Sequence, residues 1–306
     1  MPKVLVTSCN SYLGFSITNL LINEGYIVVG TYRKNNDRIH QLTLLGDDKI
    51  KLFQIDLSNP EDFNKMPNDI NYVVHNSAAF PWYDVSNEEV IQCNVNGTLY
   101  LSNWLNKNVT QLKKLILLSS LSVYGDIHKE LLTESNQLAS NDIYGVTKNL
   151  SEIIIRDILV LDKKYTIRLP VVLGNGAHRA WIPEIVKKLM KNEEVQIFNS
   201  LEPYNSLTTD LALGRFVHRL IVDEHNENNL VVNIGSKNSL KVIEIVEILK
   251  KSLQSKSVIN VQETNNITYQ IDSTLAEKMQ YKTPAVIDAL EYYIKESEFQ
   301  RDVACQ

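Results

Sequence analysis

The chain is predicted to fold as an α/β protein on a doubly wound parallel sheet, and three observations carry that prediction. Short, nearly continuous apolar runs recur through the first half, helix-length segments separate them, and the alternation ends near Pro170. Strands that are apolar on both faces need covering on both sides, and strands separated by helices pair in parallel. The runs lie at residues 3–7, 27–32, 50–55, 72–75, 115–118 and 165–169. Segments 88–105 and 142–161 show the strongest helical periodicity. Beyond Pro170 the pattern predicts helices at 182–191, 242–253 and 284–296 and one more strand at 230–234. No internal repeat or low-complexity linker divides the chain.

Composition narrows the function classes. A chain of 306 residues with 44% hydrophobic and 22% charged residues can bury a sizeable core. A net charge of −5 gives no general attraction for nucleic acid or an anionic membrane, so any anion site must be local. Cys9, Cys93 and Cys305 have neither metal-ligand nor disulfide-framework spacing. They read as reduced thiols with no metal, and Cys9 lies near enough to the first turn to be a candidate for alkylation. No signal pattern or membrane-length apolar run is present, and a soluble cytoplasmic protein is expected.

The stretch TSCNSYLGFS, residues 7–16, follows the first strand and opens a helix. A dinucleotide-binding fold carries its glycine-rich phosphate loop at that point, and here only Gly14 is a glycine. In the middle of the chain, LLSSLSVYG (117–125) ends a strand in hydroxyls and YGVTK (144–148) begins a helix. Residues four apart share a helix face, so Tyr144 and Lys148 project together toward the strand end that delivers Ser120. A reaction that builds charge on an oxygen calls for a proton donor and a group that holds that oxygen. An ammonium about 4 Å from a phenol, at an effective dielectric of about 20, favours the phenolate by roughly 4 kcal/mol. That shift of about three pKa units would bring Tyr144 near neutrality.

This set resembles the Ser, Tyr-x-x-x-Lys constellation of the short-chain dehydrogenase/reductase superfamily, and the Tyr-Gly-x-Thr-Lys form resembles its extended branch. The resemblance implies a Rossmann-type sheet with a smaller carboxy-terminal substrate lobe. Residues 1–170, with part of 205–236 returning, are then the dinucleotide-binding domain, and 171–306 are mainly the substrate lobe. Ser120, Tyr144 and Lys148 are implied to be catalytic, with Asn94 of NVNGT supporting a water relay. Lys148 is also implied to hold the nicotinamide ribose. Ser8, Ser11 and Gly14, with Tyr12 and Leu13 between the last two, match Gly-x-x-Gly-x-x-Gly with its first two glycines replaced. A serine forced into left-handed geometry costs roughly 1–2 kcal/mol, which weakens cofactor binding without abolishing it. Asp56 and Leu57 of QIDLS match an adenine-contacting strand end. Ser77 and Ala78 of VVHNSAA match a strand end that lines the cofactor.

Arg33 follows the second strand, where an arginine accommodates a 2′-phosphate and an acid would bind a 2′-hydroxyl. NADP(H) is therefore the expected cofactor, with NAD second. Leu121 and Ser122 stand where the resembling sugar-nucleotide dehydratases carry Asp-Glu, which argues against a 4,6-dehydratase. Ser122, His178 and Arg179 are candidate substrate contacts. Val171 and Pro203 or Tyr204 replace an asparagine and an arginine that serve the diphosphate in similar chains. The expected function is reduction of a keto group on an activated sugar. The alternatives are a nucleotide-sugar epimerase, a small aldehyde or ketone reductase, and a non-catalytic NADP-responsive regulator. A homodimer through the helices at 88–105 and 142–161 is implied by the same resemblance.

Overall fold

The computed structural model describes residues 1–81, 85–127, 129–178, 180–224, 227–264 and 269–304, with side chains as far as residue 296. Among them, seven strands form the main sheet: β1 (Lys3–Val6), β2 (Ile27–Tyr32), β3 (Ile50–Gln54), β4 (Tyr72–His75), β5 (Lys114–Ser120), β6 (Lys163–Leu169) and β7 (Leu230–Asn233). Their spatial order is β7-β6-β5-β4-β1-β2-β3, and β1 to β6 pair in parallel. The α/β doubly wound architecture is as expected. The order reverses between β1 and β4, and the carboxyl ends of strands at such a switch point are where ligands of open α/β sheets bind.

The helices that position this region are α1 (Tyr12–Asn23), α2 (Asp37–Thr43), α3 (Asn87–Ile91), α4 (Gly97–Asn108), α5 (Ile143–Asp157) and α6 (Asp210–Val222). Helix α1 stops where Gly25 takes a left-handed φ of 86°, with Tyr26 N–H bonded to the Leu21 carbonyl at 3.0 Å. Two buried lysines of the sheet close other helices. Lys114 Nζ donates to the carbonyls of Leu220, Ile221 and Asp223 at the end of α6, and Lys164 Nζ to those of Arg156 and Leu159 at the end of α5. Cations there satisfy carbonyls left over by the helix and oppose its negative pole. Leu5, Val29, Val73, Leu115 and Leu117 of the sheet share a core with Leu101 and Leu105 of α4 and Ile155 of α5.

One expected helix is broken. The segment 88–105 is α3, then a π turn at Gln92–Asn96, then α4. A π turn holds an extra residue, and such turns gather at functional positions. Here it carries Asn94, whose contacts are given below.

Residues 1–126, 135–169 and 214–232 form one compact unit, and 127–134, 170–213 and 233–306 form a second. The second unit holds the helices Trp181–Met190, Val242–Ser252 and Val286–Ala304, around a core that includes Leu173, Ile182, Leu189, Val246 and Leu290. It also pairs Leu207–Thr209 with Val171–Leu173, and Ile259–Gln262 with Val195–Phe198. Among the described residues, no helix is long and apolar enough to cross a membrane. Cys9 is fully buried, against Gly30 of β2, and burial pushes its thiol up to about 12, so it offers no reactive thiolate. Cys305 lies outside the described residues.

Candidate active site

The turn after β1 shows how two serines occupy glycine positions. Ser8 adopts the left-handed φ of 51°, the conformation its motif position demands. Its hydroxyl donates to Ser77 Oγ at 2.9 Å, which offsets part of the backbone cost. Ser11 carries no such strain. It is the amino-terminal cap of α1 at φ −70° and ψ 167°, and its Oγ accepts from Gly14 N–H at 3.1 Å. Asn76 Nδ2 donates to that same Oγ at 2.8 Å and reaches the carbonyl of Ser8 at 3.3 Å. Gly14 cannot be replaced without movement, because a Cβ there would lie 2.1 Å from the Ser8 carbonyl oxygen. Gly14→Ala is therefore expected to destabilise the fold by about 1–3 kcal/mol and to weaken dinucleotide binding. Thermal melting and cofactor titration would check both, and an unperturbed variant would refute the close approach.

The carboxyl end of β5 and the start of α5 bring together the three residues singled out in sequence. Ser120 caps a short 3₁₀ turn, Leu121–Tyr124, and its Oγ accepts from Ser122 N–H and donates to Ser122 Oγ, each at 3.1 Å. Asp142 caps α5 by accepting from Gly145 N–H at 2.9 Å. Gly145 is needed for close approach, since a Cβ there would stand 2.3 Å from the Ser122 carbonyl oxygen. Ser120 stands near enough to the Tyr144 hydroxyl to draw its phenol down. The Tyr144 ring stacks on Phe80, with centroids 4.4 Å apart and planes at 21°. Lys148, only 2% exposed, donates from Nζ to the Leu118 carbonyl at 2.7 Å.

The electrostatics depart from the expectation. Burial pushes the Tyr144 phenol well above its usual value, the Ser120 side chain draws it partly back, and the Asp142 carboxylate adds to the rise. Burial pushes Lys148 down to about 8, opposed by Glu152 and Cys93. The expected shift of Tyr144 toward neutrality under Lys148 is not what this geometry gives: the ammonium is drawn onto a backbone carbonyl, and desolvation of the phenol dominates. His75, beneath the site, is pushed down to about 3 by burial and by the charge of Lys148, so it is neutral. It bridges Thr7 Oγ1 at 2.9 Å and Thr98 Oγ1 at 3.0 Å.

Asn94 is buried and ties three segments together. Its Oδ1 accepts from Ala79 N–H at 2.7 Å, while Nδ2 donates to the Ala79 carbonyl and to Thr147 Oγ1, each at 3.0 Å. The segment after β4 is thus clamped to α5, with Ser77 and Ala78 just ahead of it. Asp56 Oδ1 accepts from Ser58 N–H at 2.9 Å and Ser58 Oγ at 2.6 Å. Asp56 and Arg33 line a groove of about 550 Å³ beside β3. The Leu57 side chain instead belongs to the core. His178 lies in the second unit, exposed, with Nδ1 2.8 Å from the Gly176 carbonyl oxygen, and Arg179 lies outside the described residues.

Sequence reading missed Asn76, Phe80 and Glu89. Asn76 and Phe80 flank the quoted Ser77-Ala78 pair and carried no signal of their own. Glu89 Oε1 lies 2.7 Å from Arg33 Nη2, so the guanidinium is already paired.

Comparison with known proteins places this arrangement. The model of the NAD dependent epimerase/dehydratase family matches residues 4–235. A UDP-glucose 4-epimerase of Dictyostelium discoideum is 25% identical over 278 residues, covering 88% of this chain and 76% of that protein. A UDP-glucose 4-epimerase of Bacillus subtilis is 28% identical over 287 residues, covering 81% of each. The crystal structure of a UDP-glucuronic acid 4-epimerase from Bacillus cereus in complex with NAD superposes with a TM-score of 0.82 at 22% identity, over 97% of this chain and 99% of that one.

These findings overturn the expected NADP(H) dependence and the expected ketoreductase. The matching structure holds NAD, and the two relatives given above are UDP-glucose 4-epimerases. The Glu89 carboxylate faces the Arg33 charge, so the guanidinium that marks a 2′-phosphate site in sequence is paired within the protein. The NADP-responsive regulator falls with the same correction. By its sheet order and the family match over 4–235, the chain belongs to the NAD dependent epimerase/dehydratase family.

Proposed function

We propose that this chain is an NAD-dependent epimerase of nucleotide-activated sugars, inverting a secondary alcohol of the UDP-sugar 4-epimerase kind. The observation that carries the reading is the meeting of Ser120, Tyr144 and Lys148 at the end of β5, with Leu121 and Ser122 where an eliminating enzyme would need its own acid and base. The two curated relatives named as UDP-glucose 4-epimerases support the substrate class.

The residues of the phosphate turn fit a dinucleotide. Gly14 leaves the start of α1 without a Cβ, and the twelve-residue helix directs the amides of Tyr12 and Leu13 and its positive pole toward an anion. Bound NAD supplies a reversible hydride acceptor. Tyr144 takes the proton of the sugar hydroxyl and later returns it, and Ser120 holds the same oxygen. Lys148 is assigned to the nicotinamide ribose. Asn94 holds the Ala79 backbone against α5, which sets the distance between the β4 end and Tyr144. Asp56 is assigned to the adenosine side, and Ser122 to the substrate.

Incubation with NAD and a panel of UDP-sugars, followed by proton NMR, tests the reading. The expected result is a 4-epimer with no net change in NADH. Stoichiometric NADH turnover, or no conversion of any sugar, would sink it.

A homodimer and a cytoplasmic setting belong to the same proposal. Ile91 of α3, Val146 and Leu150 of α5, and Ile158 just beyond it are each between 38% and 40% exposed. Val146 and Leu150 are four apart, so they share a helix face. Light scattering at micromolar concentration is expected to give the mass of a dimer, and Leu150→Glu that of a monomer. A monomeric wild type would reject the assembly.

A further inference from the structure

We infer that Glu89 is the residue that sets cofactor choice, by neutralising Arg33 and supplying from α3 the acid that β2 lacks. The inference rests on the NAD reading above and deepens it. Arg33 is the first residue after β2, the position whose side chain meets the 2′ substituent of the adenosine ribose in folds of this kind. No acid follows β2 until Asp37, the first residue of α2. The acidic group arrives instead from the far side of the switch point. Ser86 caps α3 by accepting from Glu89 N–H at 3.2 Å, and the Glu89 carboxylate meets the Arg33 guanidinium at 2.7 Å.

The guanidinium also lies close enough to act on the thiol of Cys93, together with Asp56 and Lys148. Arg38, the other arginine of the segment, packs over the Phe15 ring instead, 5.9 Å from its centroid.

The chemistry of the two cofactors separates at this pair. A 2′-hydroxyl is neutral and has a proton to give, which a carboxylate accepts. A 2′-phosphate is an anion with acceptors only, and it would have to displace Glu89 from Arg33 while lying beside its charge. The same arginine that read as an NADP determinant thus becomes, when paired, the support that holds the acceptor for NAD.

Calorimetric titration of NADH and NADPH against wild type, Glu89→Gln, Arg33→Ala and the double variant tests this. Wild type is expected to prefer NADH. Glu89→Gln is expected to tighten NADPH by about tenfold, a change of about 1.4 kcal/mol, with NADH weakened by no more than about threefold. Adding Arg33→Ala should abolish the gain. An unchanged NADPH affinity in Glu89→Gln, in a protein that still binds NADH, would overturn the role of Glu89 and leave the NAD reading standing. Failure of wild type and every variant to bind either cofactor would overturn both.

Discussion

Tyr144→Phe is expected to remove nearly all turnover while leaving the fold and NAD binding close to wild type. The substitution deletes one oxygen. The phenyl ring keeps its stack on Phe80, whose centroid lies 4.4 Å away, and the cap of α5 at Asp142 is untouched. What disappears is the hydroxyl that faces Ser120, the group assigned to carry the substrate proton in both directions. A positioned acid–base group contributes about 10²–10⁴-fold, and the loss should fall on kcat. Ser120 keeps its own bonds to Ser122, so the oxygen-holding site survives. Burial raises the Tyr144 phenol, so the protonated form dominates at neutral pH before ligands bind. The residual rate of the variant should therefore lose whatever alkaline rise the wild type shows. Steady-state kinetics across pH on a substrate identified by NMR, with melting curves alongside, measures all of this. A variant within a few-fold of the wild-type rate would remove Tyr144 from the mechanism.

Much of this site was legible because its cues are local. The β1 and β5 runs, the hydroxyl cluster at the end of β5 and the i, i+4 spacing of Tyr144 and Lys148 are properties of contiguous residues, and each lies where the pattern predicted. The features that escaped depend on what stands opposite. Asn76 looks like any polar residue after a strand until Ser11 and the Ser8 carbonyl close around it. The π turn at Gln92–Asn96 keeps a helical pattern of apolar residues, so periodicity runs straight through it. Arg33 stands in sequence where an NADP determinant would, and its pairing with Glu89 comes from another crossover that the local sequence does not show. Ser8 and Ser11 look alike in sequence as lost glycines, yet one is left-handed and the other is an ordinary helix cap. Backbone conformation at a substituted glycine cannot be read from the substitution.

The largest loss of stability is expected from Glu152→Ala, through a buried ion pair that supports the site from behind. Glu152 lies one turn beyond Lys148 on α5, and Arg168 lies near the end of β6. Their side chains are 8% and 6% exposed. Arg168 donates to both carboxylate oxygens, at 3.1 and 2.7 Å, and also to Tyr124 Oη at 2.7 Å. Ser119, next to Ser120, donates to Glu152 Oε1 at 2.5 Å. Removing the carboxylate strands a guanidinium out of water, which costs about 3–5 kcal/mol. That is a large part of the margin of about 5–15 kcal/mol for an ordinary domain. Replacing both partners with methionine strands no charge, so the double variant should lie much closer to wild type than either single one. Strong non-additivity in denaturant titrations is thus the expected signature, with a coupling of about 0.5–3 kcal/mol or more. Losses that simply add would mean that water reaches the pair and that the network does not brace Ser119 against α5. If it does brace them, the methionine pair should restore stability without restoring turnover, because Ser119 would lose its acceptor and Ser120 its fixed approach to Tyr144.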